Sequence, residues 1–219
     1  MGAAMKRIVV HVIKKTPLYW PLRNWVVRRT QPAEIAEWER KGKPIPPPHI
    51  VKQRVLREYA KRYELRVLVE TGTYLGDMVE AMRNDFDRIY SIELSATLHQ
   101  RAMTRFDGVE GIELIHGDSA VELGKLMDRM TQPTIFWLDG HFSEGATARG
   151  EEDTPIYEEL RHILNAPDRR HVIIVDDARC FGTDPAYPSI EELSEFVKSK
   201  RPNVDILVQG DSIRISPRQ

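Results

Sequence analysis

Residues 65–82, LRVLVETGTYLGDMVEAM, decide how the rest of the chain is read. An apolar run climbs to the acid Glu70, a short turn carries Gly72 and Gly76, and a helix-compatible segment starts at Asp77. Working outward, the same pattern recurs. The strand-like runs RVLVE, RIYSIE, GIELIHGD, TIFWLDG and HVIIVDD each end on an acid or shortly before one. The segments DMVEAMRND, SATLHQRAMTRF, SAVELGKLMDRM and PIYEELRHIL, all with helical character, separate them. Strands apolar on both faces that alternate with helices predict a parallel sheet covered on both sides. Beyond the fifth strand, Ser189 and Glu192 have capping-box spacing and start a last helix. The end of the chain, VDILVQGDSIRIS, reads as two strands joined by a Gly-Asp turn.

The expected fold is therefore α/β, a Rossmann-like, doubly wound, mostly parallel seven-stranded sheet with a terminal antiparallel hairpin, over residues 49–219. Residues 1–48 form a basic N-terminal helical arm and a proline connector, KPIPPPH. Net charge is −1, yet residues 1–33 hold seven basic residues and no acid, leaving −8 for the remainder. Those cations are interleaved with Trp20, Trp25 and aliphatics. The arm either makes peripheral contact with an anionic membrane surface through residues 1–30 or packs its apolar side on the domain or on a second subunit of a homodimer. Pro17 and Pro21 are expected to interrupt any long amphipathic helix, so a short helix is predicted to start after Thr30 with Pro32 at its first position. A single cysteine, Cys180, rules out an internal disulfide framework. With no apolar run of membrane-spanning length, the protein is expected in the cytoplasm, with the inner membrane face as the arm's contact. The acidic remainder offers no basic face for a phosphate track, so nucleic acid is not an expected partner.

The turn after the first strand poses a ligand question. In open parallel sheets ligands bind at the carboxyl ends of the strands, near the point where strand order reverses. Gly72 permits a tight turn, and Gly76 is expected to let a ligand or strand approach the helix start. Glu93 follows Glu70 by 23 residues, where a ribose-binding acid belongs. The loop lacks the three glycines of a dinucleotide fingerprint, and the Glu70 carboxylate repels phosphate but suits a cationic amino acid moiety. S-adenosylmethionine has that ammonium, a sulfonium, and no phosphate. With these residues in view, the stretch Leu65 to Ser216 resembles the class I S-adenosylmethionine-dependent methyltransferases. VETGTYLGD is similar to the loop of the small metal-dependent O-methyltransferases of the macrocin and catechol types. The resemblance implies that Glu70, Gly72, Thr73, Tyr74 and Gly76 surround the methionine end of the cofactor. It implies that Glu93 holds the ribose hydroxyls and that Asp118 and Ser119 meet the adenine. The loop departs from the family at Asp77 and Met78, where a small residue or serine is common.

The fourth strand ends at Asp139 and the fifth at Asp176 and Asp177. If those strands are neighbours, three carboxylates converge and repel one another unless protons or a cation neutralise them. Oxygen-only ligands suit Mg²⁺ or Mn²⁺, and Asp139 would then serve both cofactor and metal. The plainer alternative is that these aspartates only cap strand ends or bind loop N–H groups. His141 is a candidate base for an acceptor hydroxyl, set against a purely structural histidine. The segment FSEGATARGEEDTP is long and polar enough for a lid over a substrate. Arg149 and Arg179 are read as surface arginines and Cys180 as a small buried hydrophobe. The expected activity is methyl transfer from S-adenosylmethionine to a hydroxyl of a small-molecule acceptor such as a sugar, glycolipid or secondary metabolite, with cation assistance. The alternatives are a hydroxylase-like relative and a non-catalytic, membrane-associated binding protein.

Overall fold

A computed structural model describes residues 19–139 and 155–218. The chain divides into two compact units, residues 1–44 and 45–219. In the first, helix α1 runs Tyr19–Arg40 without interruption and contains Pro32. The sequence suggested a shorter helix starting after Thr30. Pro21 lies in the first turn, where backbone N–H groups have no helical partner in any case. At Pro32 one hydrogen bond is lost from a ladder whose other rungs persist. Arg29 stacks over the Trp25 ring at 4.4 Å, and the Trp38 indole donates to the Pro44 carbonyl at 2.7 Å. Among the described residues no helix is long and apolar enough to cross a membrane. The first eighteen residues of the basic arm lie outside the described residues, as do His141, Arg149 and almost all of the expected lid.

The second unit holds the sheet. Helix α2 (His49–Arg62) leads into β1 (Val67–Thr71), α3 (Asp77–Met82), β2 (Arg88–Glu93), α4 (Ala96–Arg105) and β3 (Ile112–His116). Then come α5 (Ser119–Met127), β4 (Ile135–Leu138), α6 (Ile156–Asn165), β5 (Val172–Val175), α7 (Ile190–Lys200), β6 (Val204–Gln209) and β7 (Ser212–Pro217). Strand order is β3-β2-β1-β4-β5-β7-β6, and only β7 runs against the others. This is the seven-stranded, doubly wound sheet with terminal hairpin that the alternation predicts. Order reverses between β1 and β4, which puts the switch point of the sheet at the loop after β1.

Two apolar layers flank the sheet. On one face Leu56 of α2, Met82 of α3 and Phe106 after α4 pack on Leu68, Trp137 and Ile174. On the other, Leu123 of α5, Leu160 of α6 and Leu193 of α7 pack on Val69, Phe136 and Ile173. Residues of odd and even number in β1 therefore face opposite helix layers. Every residue of β1, β4 and β5 is buried, which explains their unbroken apolar runs. The Ser189–Glu192 capping box closes in both directions, at 3.1 and 2.8 Å.

Candidate active site

Strand register sets the site. Thr71 lies beside Ile92 and Leu138, and Leu138 beside Val175. The next residues along, Gly72, Glu93, Asp139 and Asp176, consequently leave the sheet side by side at its carboxyl edge. The acids that end the strands in sequence thus converge in space.

Glu70 points to the α2–α4 face and is 2% exposed. Its neighbour across the ladder, Ser91, donates to it at 2.5 Å, and the Ser91 and Thr73 hydroxyls lie 2.6 Å apart. Burial pushes the Glu70 carboxyl up to about 8; the Ser91 hydrogen bond opposes this, and the charges of Asp139, Glu93 and Asp77 add to it. At neutral pH Glu70 is therefore largely protonated.

Glu93 is also buried, and each of its oxygens takes a backbone donor: Tyr74 N–H at 2.7 Å and Ser95 N–H at 2.8 Å. The carboxylate bridges the β1 loop and the start of α4. Two oxygens offer about four acceptor sites, so lone pairs remain for further donors. The loop itself is tight. Gly72 and Tyr74 have φ of +83° and +49°, and Gly72 N–H donates to the Ile92 carbonyl at 2.9 Å.

At Gly76 the missing side chain leaves room for packing beside the loop. A Cβ there would meet the Phe106 ring at 2.7 Å. The unexpected Asp77 is explained by Arg105, whose buried guanidinium donates to the Leu75 carbonyl at 2.5 Å and to Asp77 at 2.8 Å. Met78 beside it fills the core. Arg105 thus straps the loop to α4. Arg105→Met is expected to cost about 2 kcal/mol through the lost charge-assisted bonds, measured by urea denaturation.

On the opposite face, Asp118 caps α5 by accepting from Ala120 N–H at 2.9 Å, and Ser119 is buried behind it. Ser119 and Thr71 hydrogen-bond Glu159 of α6, which is 1% exposed. Burial pushes the Glu159 carboxyl up to about 7 in spite of those bonds, with Asp118 and Asp139 adding to the shift.

Asp139 is half-buried, and its charge bears on Glu70, Glu159, Asp176 and Lys52. The expected three-aspartate metal set takes a different form here. Lys52 of α2 donates to Asp176, and its ammonium lies 3.7 Å from Asp177. Arg179 binds Asp177 at 2.7 Å and also Asp211, so it is no free surface arginine. Among the described residues no three His, Cys, Asp or Glu side chains are gathered so as to hold an ion. With Asp176 on Lys52 and Asp177 on Arg179, the donor set does not fit a divalent ion as it stands. Asp211 sits in the β6–β7 turn, and its carbonyl and carboxylate also take Ala178 N–H and Arg179 N–H, both at 3.0 Å. The terminal hairpin therefore anchors the acidic loop after β5. Cys180, in the short turn after it, is half-buried, and burial raises its thiol pKa, away from nucleophilic use.

No family model matches the sequence, and no curated protein matches it. Solved structures do share its architecture. TomG, an O-methyltransferase from Streptomyces achromogenes solved with SAM, is 19% identical with a TM-score of 0.56, over 83% of this chain and 86% of that one. An O-methyltransferase from Bacillus cereus solved with SAH is 14% identical with a TM-score of 0.56, over 87% and 91%. A methyltransferase from Podospora anserina, also bound to SAH, is 15% identical with a TM-score of 0.56, over 93% and 98%. This is the class I methyltransferase fold.

Within that fold, Glu70, Thr73, Glu93 and Asp139 fall along one edge, with Asp118 and Ser119 one strand further out. Lys52, Ser91, Arg105 and Glu159 belong to the same site, and the first three have no signal in the sequence. Lys52 meets its partner 124 residues away, and Ser91 and Arg105 sit in an ordinary strand and helix. A glutamate at a core position of an otherwise apolar helical stripe was the only sign of Glu159.

Proposed function

We propose that this chain is an S-adenosylmethionine-dependent methyltransferase acting on a hydroxyl of a sugar, glycolipid or secondary metabolite. The observation that carries the proposal is Glu70, a carboxyl buried at the strand-order switch point among other acids, with Ser91 as its hydrogen-bond donor. Such a group is stabilised in its charged form by an incoming ammonium and destabilised by a phosphate. When bound, S-adenosylmethionine supplies a sulfonium methyl: the acceptor oxygen's electron pair forms the new C–O bond, the C–S pair goes to sulfur, and the oxygen's proton leaves.

The chain's residues divide the remaining work. Glu70 meets the ammonium, with Gly72, Thr73, Tyr74 and Gly76 shaping the turn around the methionine end. Glu93, already oriented by two backbone donors, takes the ribose hydroxyls, and Asp118 and Ser119 border the adenine. Asp139, between the two halves, faces the reacting centre. His141, the proton acceptor suggested by the sequence, lies outside the described residues. Asp176 and Asp177, which the sequence offers to Mg²⁺ or Mn²⁺, are already paired with the Lys52 and Arg179 cations.

Calorimetry with S-adenosylhomocysteine tests this. The wild type is expected to bind it and to ignore NAD. Glu93→Ala is expected to weaken binding about 10- to 100-fold, the equivalent of about 1.4–2.8 kcal/mol. Absence of binding by a folded wild-type protein overturns the proposal.

A further inference from the structure

The cations paired with the aspartates point beyond methyl transfer as such. Lys52 is carried by α2, a helix that precedes the first strand, and it reaches the ends of β4 and β5 from above. Its side chain is 17% exposed, against 2% for Asp176 and 6% for Asp177. One N–H goes to Asp176, and the ammonium faces Asp177 at 3.7 Å, with Asp139 close enough to act on its charge. These are the three carboxylates that the sequence would assign to a divalent ion.

We infer that the Lys52 ammonium occupies the cation position among Asp139, Asp176 and Asp177, and that it, in place of a divalent ion, presents positive charge to the acceptor's oxygen. The second half of this inference rests on the methyltransferase reading, and the first half stands on geometry alone. An ammonium has three donors. With one on Asp176 and another turned towards Asp177, a third has no acceptor among the described residues and can meet an oxygen arriving from the solvent side. Arg179 completes the arrangement: it holds Asp177 at 2.7 Å and ties it to Asp211, so Asp177 cannot swing out to ligate an ion without leaving Arg179 behind. A compact charge on a flexible stem also suits the task, since it can follow the substrate oxygen where a rigid guanidinium could not.

The test uses the full chain and Mn²⁺, read by the electron paramagnetic resonance of the free ion. Wild type is expected to bind no Mn²⁺ at about 1 mM, with a melting temperature unchanged by Mn²⁺ or by a chelator. Lys52→Met keeps the bulk of the stem and removes the charge. It is expected to bind Mn²⁺ at least tenfold more tightly than wild type and to be stabilised by it in thermal melts. Wild-type binding of Mn²⁺ well below 1 mM overturns the inference, and this result stands even where Lys52→Met does not fold. A folded Lys52→Met with no gain in Mn²⁺ binding overturns it as well. Titration of the same samples with S-adenosylhomocysteine separates the two claims: failure of that arm removes the cofactor reading, while the Mn²⁺ comparison still judges who holds the cation position.

Discussion

Glu70→Gln is expected to flatten a loss of stability that the wild-type protein undergoes between pH 5 and pH 8. The Glu70 carboxyl sits at about 8 in the folded protein against an ordinary value of 4.5, so the native state keeps a proton that the unfolded chain releases. Stability then falls with rising pH wherever the native state binds more protons. The penalty is absent below the unfolded value, grows through neutral pH and is complete above about 8. At 1.36 kcal/mol per pH unit it reaches about 5 kcal/mol. For a chain of this length that is roughly 10 °C in melting temperature. Glutamine cannot ionise and still accepts from Ser91, although its buried amide N–H groups need partners and lower the starting value. The informative quantity is therefore the change in the difference between wild type and variant across the pH range. Glu159, pushed up to about 7 by the same cause, leaves a residual slope that Glu159→Gln should remove. Parallel pH profiles for wild type and Glu70→Gln would show that the carboxyl is not held neutral. A bound ammonium should also shrink the slope, which ties this measurement to the proposed cofactor.

Gly76→Val is the most disruptive single change expected in the loop. Gly76 has φ of +75°, a region that costs a β-branched residue about 1–2 kcal/mol. Its Cβ would lie 2.7 and 3.1 Å from two atoms of Phe106, a ring only 5% exposed and packed in the α2–α4 layer. Overpacking of this kind costs a further 1–3 kcal/mol, roughly. The total, about 3 kcal/mol or more, should appear as a lower urea midpoint with an unchanged slope. Combining Gly76→Ala with Phe106→Leu separates the causes, since the smaller side chain relieves the clash and leaves the backbone cost. A midpoint equal to that of wild type would mean that neither effect operates.

Much of this could be read along the chain. Fully apolar runs can be stable only when both faces are covered, and alternation with helices then leaves few topologies open, so β1 to β5 and the terminal hairpin follow from pattern alone. Glu70, Glu93, Asp118 and Asp139 were legible because an acid at the carboxyl end of such a strand has no packing reason to be there. Helix α1 was not, because proline's cost depends on whether the surrounding turns hold, and local rules at Pro21 and Pro32 overstate it.

The amino-acid order by itself determined the strand count and the acids that end the strands. Only the tertiary structure decided what those acids do. Asp176 and Asp177 are ambiguous as residues, ligands to a metal or partners of a cation, until α2 delivers Lys52 and the loop after β5 delivers Arg179. The packing reason for Gly76 likewise shows only once Phe106 is in place. The physical reason is the same in each case. Periodicity and propensity are local and visible in sequence, whereas a buried charge or an absent side chain takes its meaning from whichever distant group fills the space beside it.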